Sequence, residues 1–173
     1  MNDDRFKKWV CTAIDMEEKG RTFYQQALDK CSEGPARQIF AMLRDDEAVH
    51  IQRIRDIEKA LDSGSDPEAS CSLPEVSTEA AAVFKRLARE SQARGSCPEI
   101  QQALSTGMDF ELTLADFYQQ ALDSAEGDFE KMFLKRMVEE EKGHYVLLKD
   151  MQYFYEDPEG WALEQDNAGL DGA

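Results

Sequence analysis

The sequence predicts an all-α protein: a four-helix bundle with one long crossover connection that contains a short helix. Three observations predict it. Apolar residues recur at three- and four-residue steps through four long stretches. Clusters of Gly, Pro, Ser and Asp separate those stretches. The chain also repeats itself, because FYQQALD occurs at 23–29 and again at 117–123.

Residues 3–31 read as the first helix. Asp3 or Asp4 can cap it, and Phe6, Val10, Ala13, Ile14, Phe23, Tyr24, Ala27 and Leu28 form its apolar stripe. A turn at Cys31–Gly34 ends it. Pro35 suits the first position of the second helix, which runs to about residue 62 through Ile39, Phe40, Leu43, Ile51, Ile54 and Leu61. Residues 63–74 are rich in Ser, Gly, Asp and Pro and read as a loop. A short amphipathic helix follows over 77–93, with Ala81, Phe84, Leu87 and Ala88 on its apolar side, and Gly95 breaks it. Pro98 starts a third long helix to about Ala125. Gly127 and Asp128 turn the chain into a fourth, over about 129–155, which Asp157, Pro158 and Gly160 end. Residues 1–155 therefore form one bundle domain. Residues 156–173 form an acidic tail with Trp161 and Leu163 as its anchors. Short turns force antiparallel neighbours within each hairpin, and the long link between hairpins gives the ferritin-like arrangement.

Composition narrows the function. The chain has 173 residues, 42% of them hydrophobic and 32% charged, which suits one soluble globular domain. A net charge of −16 argues against nucleic acid and anionic membranes as partners. No run is long enough to span a bilayer, and the opening MNDDRFKKWV is too polar for a signal peptide, so a cytoplasmic protein is expected. Cys11, Cys31, Cys71 and Cys97 include no Cys-x-x-Cys pair, which excludes a rubredoxin-like iron site, and they read as reduced thiols.

The two histidines carry the functional signal. Each belongs to a Glu-x-x-His motif, Glu47–His50 and Glu141–His144. Adding 94 to 17, 47 and 50 gives 111, 141 and 144, so Glu17 and Glu111 complete two matching sets in the register of the repeat. Within each hairpin the three residues stand at the same distance from the turn, roughly 20–25 Å at a rise of ~1.5 Å per residue. Glu and His three apart share a helix face. Four carboxylates at one dry level repel one another and resist ionisation unless cations neutralise them. Two divalent ions would do so, and carboxylates with one imidazole per ion suit iron, with manganese or zinc as substitutes. The expected metal ligands are Glu17, Glu47, His50, Glu111, Glu141 and His144. Glu17 and Glu111 would be terminal, and Glu47 and Glu141 would bridge.

Tyr24 and Tyr118 lie seven residues after Glu17 and Glu111, on the same helix faces. A phenol there can hydrogen-bond a carboxylate or pass an electron, or serve as an ordinary core residue. Met16, Phe40, Leu43, Phe110, Leu134 and Met137 read as core, and Trp9 and Trp161 as packing residues. Glu18, Glu139 and Glu140 turn to other faces and read as surface charge.

Around these residues the motifs AIDMEEKGRTFY, DDEAVH, MDFELTLADFY and EEEKGH resemble the rubrerythrin and bacterioferritin branch of the ferritin-like diiron superfamily. The likeness is to stand-alone rubrerythrin-related proteins without a rubredoxin domain. It implies a diiron centre on the same six positions that reacts with peroxide or dioxygen, re-reduced by an external electron donor, rubredoxin-like or other. Two departures stand out. Rubrerythrins carry a further Glu one turn beyond the third-helix ligand, where this chain has Leu114; its first-helix counterpart is Gly20. The symmetric six-ligand set looks more like the ferroxidase centre of bacterioferritin. Three functions therefore compete: a peroxide- or dioxygen-reducing enzyme, an iron-handling ferroxidase, and a non-catalytic metal-bound scaffold or sensor. The apolar side of 77–93 and the Trp161 anchor each need a covering surface, so a homodimer is expected rather than a hollow shell.

Overall fold

A computed structural model describes residues 3–31, 34–63, 79–90 and 98–168. They form six helices and no strand: α1 Asp3–Lys30, α2 Pro35–Asp62, α3 Glu79–Glu90, α4 Pro98–Asp123, α5 Asp128–Glu156 and α6 Pro158–Ala168. The all-α bundle expected from the sequence is the fold. Most of the loop assigned to 63–74, the ends of the 77–93 helix, the break at Gly95, and Cys71 and Cys97 lie outside the described residues.

Two antiparallel hairpins make the bundle, α1 with α2 and α4 with α5. The first turn is held by side chains as well as by its backbone. Gly34 takes a φ of 96°, a left-handed conformation that costs glycine nothing sterically. Arg37, in the first turn of α2, donates to the carbonyls of Leu28 and Cys31 at 2.9 and 2.8 Å. It thereby adds a second donor to the Leu28 carbonyl, which also accepts the Cys31 N–H at 3.2 Å, and supplies one to the Cys31 carbonyl. From the far hairpin, the Tyr155 hydroxyl accepts the Ala36 N–H at 3.2 Å, so the end of α5 caps the start of α2.

Apolar burial divides into two clusters along the bundle axis. Tyr24, Leu28, Ile39, Phe40, Leu43, Leu104, Leu148 and Met151 belong to one. Val10, Ala13, Ile54, Ile57, Leu114, Tyr118, Leu134 and Met137 belong to the other. On every long helix the break between the two clusters falls at Glu17, Glu47 to His50, Glu111 or Glu141 to His144. The predicted core residues Phe40, Leu43, Leu134 and Met137 are buried, while Met16, Phe110 and Trp9 are partly buried against the second cluster.

The segment expected to be an acidic tail is largely helical. Asp157 both closes α5, donating its N–H to the Tyr153 carbonyl at 2.8 Å, and opens α6 by accepting the Gly160 N–H on Oδ1 at 3.0 Å. Pro158 then occupies the first helical position, where its missing N–H is no loss. Trp161 is 1% exposed. Its ring meets Phe84 of α3 and Phe154 of α5 edge-on at 5.7 and 5.3 Å, and its indole N–H donates to Asp150 at 2.7 Å. Leu163, expected as a second anchor, is 65% exposed; among the described side chains of this short helix, Trp161 is the buried one. Ala81 is also exposed: Phe84 and Ala88, four residues apart, define the inner face of α3. The inner face of α3, Phe84 and Ala88, and the Trp161 ring thus pack together within the chain.

Replacing Trp161 by Ala removes this seal and leaves Asp150 without its donor. Large-to-small changes of this kind in cores cost about 3–5 kcal/mol. Urea unfolding of Trp161→Ala should show that loss as a lower midpoint, with metal uptake by the folded form unaltered.

Candidate metal centre

Between the two apolar clusters lies a polar layer drawn from all four long helices. Glu17, Glu47, Glu111 and Glu141 are wholly buried, and His50 and His144 are 2% and 9% exposed. All six residues singled out from the sequence meet here. One potential ligand atom from each of Glu47, Glu111, Glu141 and His144 lies within 4.8 Å of the others, and the same holds for Glu17, His50 and Glu141. Glu141 is common to both groups. Glu47 groups with His144 rather than with both sets, although its carboxylate also comes within 3.8 Å of His50 Nδ1.

The phenols expected near the carboxylates are there. Tyr24 on α1 donates to Glu111 on α4, and Tyr118 on α4 donates to Glu17 on α1. Both tyrosines are wholly buried. Burial first, and then the charge of the adjoining carboxylates, Glu111 for Tyr24 and Glu17 for Tyr118, raise both phenols well above their ordinary range. They stay protonated and act as donors.

Ionisation of the cluster is strongly perturbed. Burial, then the charge of Glu17, pushes Glu47 well above the usual carboxylate range. Burial also lifts Glu111 to about 7, with Glu141 adding to the effect and His144 opposing it. Burial disfavours the charged form of both imidazoles, yet surrounding carboxylates overcome it. Glu141 and Glu17 raise His50, and Glu111 with Asp46 and Glu141 raises His144. Glu141 goes the other way: burial opposes its charge, but His50 and His144 hold it well below its ordinary value. These shifts favour protons on the imidazoles and on Glu111, which offset part of the charge.

Those protons do not satisfy the layer. Among the described residues, both oxygens of Glu47, both of Glu141, Glu111 Oε2 and His144 Nδ1 are buried without a hydrogen bond. Buried polar atoms are ordinarily paired, because leaving one bare costs about 1–3 kcal/mol. These orphaned atoms are oxygen and nitrogen donors from four residues whose ligand atoms lie within 4.8 Å of one another, which is the donor set of a hard or borderline divalent cation. The residues therefore fit a metal centre.

Glu140 is the residue that the sequence reading misplaced. Its spacing from the ligands predicts a surface position, yet it is 5% exposed. Its carboxylate lies 2.8 Å from His50 Nε2, 2.6 Å from Arg53 Nη1 and 3.1 Å from Arg136 Nε. Burial opposes its charge, but His50 and Arg53 together lower it to about 2. The error is geometric. α5 is buried over a wide arc that takes in Met137, Val138, Glu140, Glu141 and His144, so a residue one step from a ligand still faces α2. Arg136, four residues earlier, was the one available hint, and Glu–Arg pairs at that spacing are usually solvated. Glu18 and Glu139 do lie outside, paired with Arg21 at 3.2 Å and Lys135 at 3.8 Å.

Comparison with protein families gives a match to the Rubrerythrin family over residues 8–152. No curated protein and no solved structure gives a match. The matched span contains all six clustered residues and both tyrosines. Separately, no helix among the described residues is long and apolar enough to cross a membrane.

A cation entering this layer must displace protons. Glu111, raised to about 7, keeps its proton below that pH in the folded metal-free chain and gives it up above. Affinity for a divalent metal should therefore fall as the pH drops through 7. Metal uptake should also release more protons at pH 6 than at pH 8. Calorimetric titrations in buffers of different ionisation heat would count them, and equal release at the two pH values would contradict the assignment.

Proposed function

Because the chain belongs to the rubrerythrin family, and its bundle buries a cluster of carboxylates and imidazoles with unsatisfied ligand atoms, we propose that it is a non-haem diiron redox protein. It reduces peroxide, or dioxygen, with electrons from an external donor. The orphaned buried atoms carry the reading, since a bundle with no metal to hold would have no use for them.

Glu17, His50 and Glu141 would hold one ion, and Glu47, Glu111, Glu141 and His144 the other. Iron is the proposed metal, with manganese or zinc as substitutes. Two iron ions bound here supply a pair of electrons to an oxygen–oxygen bond. The chain's own residues do the rest. The apolar clusters on both sides keep bulk water from the layer. Tyr24 and Tyr118 orient Glu111 and Glu17 and hold a proton at the edge of the cavity. From there a proton can pass through the carboxylate to a product oxygen.

A ferroxidase of bacterioferritin type is the second reading, and one observation favours it. Leu114, where rubrerythrins carry a further Glu, is wholly buried in an apolar cluster. At its first-half counterpart, Gly20, an added Cβ would come within 2.6 Å of the Phe110 ring and 3.2 Å of Glu47 Cδ. Gly20 leaves no room for a seventh carboxylate, and Leu114 offers an apolar side chain in place of one.

Anaerobic loading with Fe(II), followed by stopped-flow absorbance with H2O2 and with O2, separates the readings. Faster oxidation by H2O2, with re-reduction by a donor over many cycles, is expected. Faster reaction with O2 and growth of an iron core would replace this reading by the ferroxidase one. If either phenol supplies an electron, a tyrosyl radical should form on oxidation and be absent from the matching Tyr24→Phe or Tyr118→Phe variant.

A further inference from the structure

The internal repeat makes the two halves of the centre nearly equivalent, and the differences between them are informative. Under the shift of 94, Glu140 corresponds to Asp46, so each Glu-x-x-His motif is preceded by one more acid. Each of these acids faces the histidine of the opposite hairpin, Glu140 facing His50 and Asp46 facing His144.

The two contacts differ in kind. Glu140 reaches His50 Nε2 at 2.8 Å, is 5% exposed, and is gripped by Arg53 and Arg136. Asp46 has a shorter side chain, is 39% exposed, and stops 3.5 Å from His144 Nε2. The repeat also withholds the clamp from the Asp46 side. Arg53 corresponds to Leu147, and Arg136 corresponds to Met42. Leu147 is buried in the apolar core and Met42 packs against it. No guanidinium stands at either position to hold Asp46.

A carboxylate hydrogen-bonded to the far nitrogen of an imidazole fixes its tautomer and ring angle and makes the near nitrogen a better donor. His50 is so fixed. With Nε2 committed to Glu140, its Nδ1 faces the cavity, 3.2 Å from Glu17 and 3.1 Å from Glu141. His144 presents Nδ1 at 3.5 Å from Glu111 and 3.4 Å from Glu141, with a looser tether behind it and greater exposure.

We propose that Glu140, locked by Arg53 and Arg136, is a positioning residue that makes the two metal positions unequal: the His50 position is tight and permanent, and the His144 position is weak and exchangeable. The inference rests on the reading of the layer as a two-metal centre. It assigns the exchanging ion, whether cofactor or cargo, to the half-exposed Asp46 side.

The test is a stepwise anaerobic titration of the metal-free full-length protein with Co(II), followed by its visible absorption and by calorimetry. Two steps are expected, the first at least ~10-fold tighter, since outer partners of this kind are worth about 10–100-fold in metal affinity. His50→Ala should remove the tight step and His144→Ala the weak one. Glu140→Gln should weaken the tight step by a similar factor and leave the weak step in place. Arg136→Met copies the residue at the equivalent place in the other half and leaves Arg53 to pair with Glu140, so it keeps the fold if Glu140→Gln does not. It should weaken the same step to a smaller degree, with thermal melting of the metal-free form as the check on folding. Two equal steps in the wild type, or variants that weaken both steps alike, would overturn the proposal while sparing the two-metal reading. No uptake of Co(II) would overturn both.

Discussion

Four carboxylates and two imidazoles share one buried level of the bundle, and their mutual electrostatics constrain everything else. Uncompensated charge in such a layer would drive the helices apart or force the groups neutral. Burial and mutual repulsion raise Glu47 and Glu111, carboxylates raise both imidazoles, and those imidazoles hold Glu141 low. Apolar clusters above and below supply the packing that holds the layer closed. The polar level interrupts the core, and the stability of the bundle comes from either side of it.

Much of this was legible because helices translate spacing into position. Glu17, Glu47 and His50 recur 94 residues later, and a repeat of that length in a helical chain means two superimposable hairpins. The convergence of all six side chains follows from rise per residue and distance from the turn. Tyr24 and Tyr118 were legible as residues on the ligand face. Their crossing to the carboxylate of the opposite hairpin was not, because sequence spacing constrains contacts within a helix and leaves contacts between helices open.

The misread residues share one cause. Periodicity places Glu140 and Ala81 on single helices, and apolar character alone places Leu163 as an anchor of the tail, yet each is decided by a neighbouring helix. α2 covers the face of α5 that carries Glu140, and brings Arg53 with it. α3 and α6 bury Phe84 and Trp161 against each other, which leaves Leu163 and Ala81 outside. The helical state of 158–168 was hidden by its acidic composition, although Asp157 and Pro158 form a start signal as well as a stop signal.

The crossed phenols have a mechanical consequence. Tyr24 runs from the first hairpin to a carboxylate of the second, and Tyr118 runs from the second to a carboxylate of the first. Together they act as a pair of opposed struts, and the length of a tyrosine side chain sets the gap between α1 and α4. A small zinc domain owes its fold to the metal, whereas this bundle spaces its two hairpins with its own side chains.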